Sequence, residues 1–456
     1  MTTLAIVASL LFIGGYILIT LEHRYDLHKA LPASALGAFL WILIAMTEGA
    51  DGVGHAIEEV GAEIFGLIAF LLAAMTLVEI LTHYRFFDLI RAKILALGLN
   101  DRKQLWVIGS VSFFLSAIID NLTATLVMLA ISMSFFAGKN LLRAAAVVVI
   151  AANAGGAWSP IGDVTTIMLW LADKFTAVEI VLFGFLPSLA LFVTSTFLLT
   201  MDVSLDTQDT VEESIEISRS EKIIIGVSLI SFLFPLLVSR IGLEPYFGLV
   251  FGLGLVGILI ALFRVRSKKL FSLEENMVEG TDENGNNGGY GPEGLSSLGV
   301  PHQTHLTSNI EKKLARIDLA SLLFFIGILL AVGALSHLGV LELISHVLLG
   351  VDPSIVRLVI GNSTLGILSA IMDNIPLTAA AIDILKTNDS AIWVLLAIAV
   401  GTGGSILVIG SAAGVVAMGK VKDLTFFNYI KIATFPAFAG YIVAIAVWYA
   451  QYLFFS

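Results

Sequence analysis

The sequence predicts an all-α polytopic membrane protein built from two inverted-topology repeats, each with a re-entrant helical hairpin and a discontinuous transmembrane helix. Three observations predict it: a chain too apolar for water, apolar runs of membrane length, and two polar motifs that recur in order in both halves. Of 456 residues, 57% are hydrophobic and only 13% charged, with a mean hydropathy of +0.95. A soluble domain carries roughly 25% charge, so lipid rather than water must cover most of this surface. Much of the formal charge of −11 falls in the polar stretch 202–222, whose net is −5, while 264–316 is dense in charge but balanced; both describe solvated connections rather than a ligand. No basic patch argues for nucleic acid. Zero cysteines exclude a disulfide framework and thiolate metal sites. The opening MTTLAIVASLLFIGGYILITLEH has no positive n-region and reads as a retained helix rather than a signal peptide.

Runs near the ~20 apolar residues that cross a bilayer predict full spans at 3–21, 29–47, 61–83, 177–200, 223–240, 243–263, 317–336 and 428–453. The region 105–136 is too long for one helix and is broken at Asp120-Asn121; 353–386 is broken in the same way at Asp373-Asn374. Two short arms around a polar tip read as a hairpin that enters and leaves on one side. The regions 141–173 and 389–420 are interrupted by glycine, in Asn153-Ala-Gly-Gly-Ala-Trp-Ser-Pro-Ile-Gly-Asp163 and Gly401-Thr-Gly-Gly-Ser-Ile-Leu-Val-Ile-Gly410, and read as discontinuous helices. The expected organisation is N-terminal scaffold helices in 1–60, a first repeat in 61–200 and an acidic loop with two scaffold helices in 201–263. A cytoplasmic polar loop in 264–316 and a second repeat in 317–456 complete it.

Orientation follows from Lys and Arg in short loops. Arg24 and Lys29 put 22–28 inside, and the acidic 48–60 goes outside. Arg85, Arg91, Lys93, Arg102 and Lys103 put 84–104 inside, as Arg264, Arg266, Lys312 and Lys313 do for 264–316.

The recurrence is specific. Ser116-Ala-Ile-Ile-Asp-Asn121 matches Ser369-Ala-Ile-Met-Asp-Asn374 at an offset of 253, and Gly155-Gly156 with Gly162 match Gly403-Gly404 with Gly410 at an offset of 248. An odd number of crossings separates the halves on the path above, so the repeats have opposite topology. Such repeats place a binding site at mid-membrane between them. Polar breaks at that depth are tolerated only where protein buries them or a cavity wets them.

Asp120 and Asp373 are carboxylates in apolar surroundings, followed by Asn121, Thr123 and Thr125 in one half and by Asn374 and Thr378 in the other. Ionisable groups in a membrane segment are functional by default, although Asp and Asn are also good N-caps and the residues could simply cap the helices that follow. Asp163, followed by Thr165 and Thr166, opens the second part of the first broken helix; its counterpart is Ser411, so there are three deep acids rather than four. Asn153, Ser159, Thr402, Ser405 and Ser411 add neutral oxygens. Such a set suits a hard cation, with Asp120, Asp163 and Asp373 as its anionic ligands. Glu79 with His83, Glu342 with His346, and Asp383, His337, His23 and His55 are outlying candidates. Gly252-Leu-Gly-Leu-Val-Gly257 and Gly414-Val-Val-Ala-Met-Gly419-Lys420 mimic nucleotide motifs, but the first lies in a span and the second has Val421 where magnesium needs a hydroxyl. Energy then comes from an ion gradient, and no cofactor or enzymatic activity is expected.

The strings SAIIDNLTATLVML, NAGGAWSPIGDVTTIMLW, RIDLASLLFFIGILLAVGAL, SAIMDNIPLT, GTGGSILVIGSAAGVVAMG and GYILITLEHRYDLHKA resemble the NhaD-type sodium/proton antiporters of the ion transporter superfamily. The resemblance implies a homodimer with a scaffold and a moving transport region, in a cell inner (cytoplasmic) or organellar inner membrane. It implies that Asp120, Asn121, Asn153, Asp163, Thr165, Thr166, Ser369, Asp373 and Asn374 line a cation path. Carboxylate transporters of that superfamily typically carry Ser-Asn-Thr at the tips, where this chain has Asp-Asn. The expected activity is sodium or lithium export against protons by alternating access. The alternatives are an arsenite or oxyacid efflux permease, an intramembrane aspartyl protease, for which the Gly-x-Gly-Asp context is lacking, and a passive channel.

Overall fold

A computed structural model describes residues 2–20, 28–201, 203, 215, 217–279, 318–348 and 353–455. Most of the polar stretches 202–222 and 264–316 lies outside the described residues, as do His23, Arg24, Lys312, Lys313 and the side chain of His346. The described elements are all helical. In chain order they are α1 (Thr3–Thr20), α2 (Ala30–Glu48), α3 (Ala50–His83), α4 (Phe86–Leu95), α5 (Asp101–Ser116), α6 (Asn121–Ser132), α7 (Gly138–Gly156), α8 (Val164–Leu171), α9 (Ala177–Thr200) and α10 (Arg219–Ser231). There follow α11 (Phe234–Ser239), α12 (Pro245–Glu279), α13 (Leu319–His337), α14 (Val340–Leu348), α15 (Ile355–Leu368), α16 (Asn374–Ile384), α17 (Ser390–Gly403), α18 (Ala412–Lys420), α19 (Phe426–Tyr429) and α20 (Phe435–Phe455). Among the described residues seven helices are long and apolar enough to cross a membrane. The chain is a multi-pass membrane protein.

The apolar runs became helices with few surprises, and the departures have local causes. The span expected from residue 61 begins at Ala50, because the acidic 48–60 stretch is itself helical. Glu58 and Glu59 are good helix formers that can project into water. Phe86–Leu95, inside the expected loop 84–104, forms a short amphipathic helix after a reversal at Arg85, whose φ is +62°. The span expected at 223–240 is divided before Pro235, which has no N–H to continue the ladder. The last transmembrane helix carries a π-helical turn at Ile430–Thr434.

The chain forms two compact units, Met1–Leu71 with Lys93–Glu212 and Asp318–Ser456, and Leu72–Ala92 with Glu213–Ile317. In the second, α10 and α11 pack on α12, and Gly248 lets the α12 backbone meet Phe234 and Pro235. In the first, α13 lies along α2, where Gly37 and Gly327 face each other: a Cβ on either would strike the opposing backbone. Small residues at such crossings bring helix backbones into contact within lipid. The Trp41 indole fastens the pair by donating to the Leu330 carbonyl at 2.9 Å.

The four motif segments fold as two helix–tip–helix units, α5–α6 and α15–α16, and two broken helices, α7–α8 and α17–α18. Equivalent contacts hold each half. Ser116 Oγ donates to the Ala152 carbonyl at 2.6 Å, and its counterpart Ser369 donates to the Val400 carbonyl at 2.8 Å. A Cβ on Gly155 would clash with the Phe113 carbonyl, and one on Gly403 with the Gly366 carbonyl. Gly162 approaches the Ser116 carbonyl as Gly410 approaches that of Ser369. Glycine is required at these places because the tips pack backbone to backbone against the broken helices.

Candidate functional site

Each of the three deep acids is an N-cap. Asp120 Oδ1 accepts from the Thr123 N–H at 2.8 Å, Asp163 Oδ1 from the Thr165 N–H at 3.0 Å and Asp373 Oδ1 from the Ile375 N–H at 3.4 Å. The capping reading therefore holds for all three. It does not exhaust them, because at Asp163 and Asp373 the second carboxylate oxygen engages another group.

Asp163 Oδ2 accepts from Asn121 Nδ2 at 2.9 Å, and the same amide donates to Asn153 Oδ1 at 3.1 Å. Asn153 Nδ2 in turn donates to Ser405 Oγ at 2.8 Å and to Ser411 Oγ at 3.0 Å. All five residues are buried. The chain Asp163–Asn121–Asn153–Ser405/Ser411 thus joins the first tip to both helix breaks across about 250 residues of sequence. The site is asymmetric. Where the first half has Asn153, the second has Gly401, and a Cβ there would lie 3.5 Å from Asp163 Oδ2.

The remaining expected oxygens divide by what they touch. The hydroxyls of Thr166, Thr378 and Thr402 bond to carbonyls of their own helix or its cap, those of Asp163, Asn374 and Ile398. Ser159 donates to the Ala117 carbonyl and so staples the break to the first tip. Thr123 is half-buried beside Asp120, Thr165 is buried beside Asp163, and Asn374 is buried at the second tip. The hydroxyl of Thr125, one turn beyond the first tip, is buried without a hydrogen-bond partner among the described residues. Among the described residues no three acidic or histidine side chains form a metal-holding group.

Asp373 departs most from expectation. Its Oδ2 meets Lys29 Nζ at 3.2 Å, and its backbone N–H donates to the Tyr16 hydroxyl oxygen at 3.1 Å. Tyr16 was not anticipated at all, and Lys29 was read only as an orienting charge. The sole local signal was a lysine directly before an apolar run. Of the outlying candidates, His337 lies 2.8 Å from Glu48. His337 and Asp383 line a cavity of about 240 Å³ together with Glu59, Glu63 and Met168. Met168 is on α8 and Asp383 on α16, so the helices capped by Asp163 and Asp373 both run to this acidic cavity. His55 is exposed; Glu79, His83 and Glu342 take no part in the buried chain.

The chain matches the citrate transporter family CitMHS over residues 16–401. Sodium/proton antiporter 2 of Arabidopsis thaliana is 34% identical over 461 residues, covering 98% of this chain and 99% of the relative. Sodium/proton antiporter 1 of the same plant is 36% identical, over 97% of this chain and 72% of its own length. The Na(+)/H(+) antiporter NhaD of Alkalimonas amylolytica is 33% identical, over 96% and 88%. Given matches that run through the tips and both helix breaks, the chain belongs to the CitMHS family and to the NhaD-type antiporters that these relatives represent.

Proposed function

We propose that the chain is a secondary active antiporter that moves sodium, or lithium, out of a compartment in exchange for protons by alternating access. The observation that carries this reading is the buried hydrogen-bond chain that links one carboxylate, Asp163, through the Asn121 and Asn153 amides to the hydroxyls of Ser405 and Ser411, joining the first tip to both helix breaks. A charge out of water must be neutralised or paired. A proton does the first and sodium the second, so the two are alternatives at one group. The names of the relatives support the same exchange. Asp120 and Asp373 would complete the cation path, with Asn374, Thr123, Thr165 and Ser369 at its margin.

Alternating access needs two halves that move against each other. The paired contacts at Ser116 and Ser369 are what an internal duplication leads one to expect. With the odd number of crossings between them, they support inverted repeats with re-entrant hairpins. The transport region would comprise the hairpins and broken helices, and the flanking helices a scaffold through which two copies pair. The host membrane would be a cell inner or organellar inner membrane, where such exchange serves pH homeostasis and salt tolerance.

The family description favours a second reading, a citrate carrier. An anion needs unoccupied helix N-termini or cationic groups. Here Asp120, Asp163 and Asp373 already cap the N-termini of α6, α8 and α16, which argues against a tricarboxylate. The relatives' names do not favour the arsenite or oxyacid permease. Proteoliposomes decide: a sodium pulse should alkalinise or acidify the lumen according to the gradient, whereas citrate or arsenite should leave it unchanged. A sodium pulse without proton movement would sink the antiport reading.

A further inference from the structure

We infer that Lys29 is a tethered cation that holds the transported ion's place at Asp373 and is displaced when that ion binds. The inference rests on the antiport reading and deepens it by naming a built-in competitor for sodium at the second tip.

The two caps differ in their free ends. At Asp163 the oxygen not used in capping meets an amide, a neutral group that leaves the charge uncompensated. At Asp373 the equivalent oxygen meets an ammonium from a residue 344 positions away. The two side chains are 24% and 20% exposed, out of bulk water yet not sealed from it. An ammonium is a compact point charge, the nearest a side chain comes to a bound sodium ion. Lys29 also has a second resting place, because Nζ lies 4.4 Å from the centroid of the Phe324 ring, whose face attracts a cation. A lysine released from Asp373 is therefore not left without a partner.

The surroundings fit a reversible lock. Tyr16 on α1 and Lys29 ahead of α2 hold the second tip, and the Phe324 ring on α13 backs the Lys29 ammonium. Among the described residues, the ionisable groups in contact with Asp373 are Lys29 and Tyr16. While Lys29 occupies Asp373, the tip is fastened to the N-terminal helices. Sodium at Asp373 frees that fastening, so loading and release of the tip become one event.

The test uses the full chain in proteoliposomes and compares sodium dependence with maximal rate. Lys29→Gln should lower the sodium concentration for half-maximal exchange by roughly fivefold, the scale of a partly exposed ion pair, while the maximal rate holds. Lys29→Arg should stay near wild type, and in an Asp373→Asn background Lys29→Gln should have no further effect. An unchanged or raised half-maximal sodium concentration overturns the proposal. Should Lys29→Gln not assemble, wild-type protein gives the same answer: sodium, but not choline, should speed acylation of Lys29 by an amine-reactive reagent several-fold. No acceleration would overturn it. Wild type showing no sodium-driven proton movement at all would instead refute the antiport reading.

Discussion

The Asn121 amide donates to the Asp163 carboxylate at 2.9 Å and to the Asn153 side-chain oxygen at 3.1 Å, so one side chain from the first tip bridges both parts of the first broken helix. The single acid at the centre of the helix breaks is thereby held by a neutral donor. Its charge stays available to a cation or a proton.

Replacing that acid with its amide separates structure from transport. Asparagine caps helices about as well as aspartate, so Asp163→Asn should stay within about 1 kcal/mol of wild-type stability. It should lose sodium-driven proton movement by at least roughly tenfold, the loss expected when a buried charge partner worth over 1.4 kcal/mol is removed. Thermal denaturation in detergent and dye-reported flux in liposomes measure the two effects. An active Asp163→Asn protein would remove the residue from the mechanism.

The backbone contact between the second tip and its broken helix gives a stability prediction. A methyl on Gly403 meets the Gly366 carbonyl, whereas one on Gly419 meets nothing within 4 Å. Gly403→Ala should cost about 1–3 kcal/mol, while Gly419→Ala, within α18, should gain about 0.5–1 kcal/mol. The order of the two melting temperatures checks this.

The second break is held from outside by the last transmembrane helix. Tyr429, just before the π-helical turn, donates to the Ser405 carbonyl at 2.7 Å, and Thr434, its last residue, donates to the Ile406 carbonyl at 2.8 Å. Tyr429→Phe keeps the ring and strands a buried carbonyl, which should lower stability by about 1–3 kcal/mol. Equal melting of the two proteins would mean that the break does not depend on this donor.

The proposed opposite orientation of the two hairpins is testable because the chain has no cysteine. Lys103 and Ser134 flank the first hairpin, Ser354 and Asn388 the second, and all four are exposed. Single cysteines at Lys103 and Ser134 should react with a membrane-impermeant maleimide from one side, and those at Ser354 and Asn388 from the other. Labelling of all four from the same side would exclude opposite topology.

Much of this was legible in the sequence because lipid is an exacting solvent. A polar pair inside an apolar run has few uses there, so Asp120-Asn121 and Asp373-Asn374 marked the tips, and α9 matched its expected span of 177–200. Elements at the water boundary were harder. The charged first turns of α3 and the short α4 carry no long apolar run, and helix formation there depends on packing and local propensity. Long-range pairing was invisible. Nothing near Lys29 points to Asp373, and composition could not tell which hydroxyls would aim at the site. Asn153, Ser405 and Ser411 form the buried chain, whereas Thr378 and Thr402 fold back onto their own helices.

The claim on which the account turns is that sodium and a proton alternate on Asp163, and sodium-triggered proton release from purified protein in weakly buffered detergent solution tests it most directly. Sodium chloride added to the wild type should acidify the medium, choline chloride should not, and Asp163→Asn should give no release. Release of equal size from Asp163→Asn, or none from the wild type while sodium binds, would contradict it.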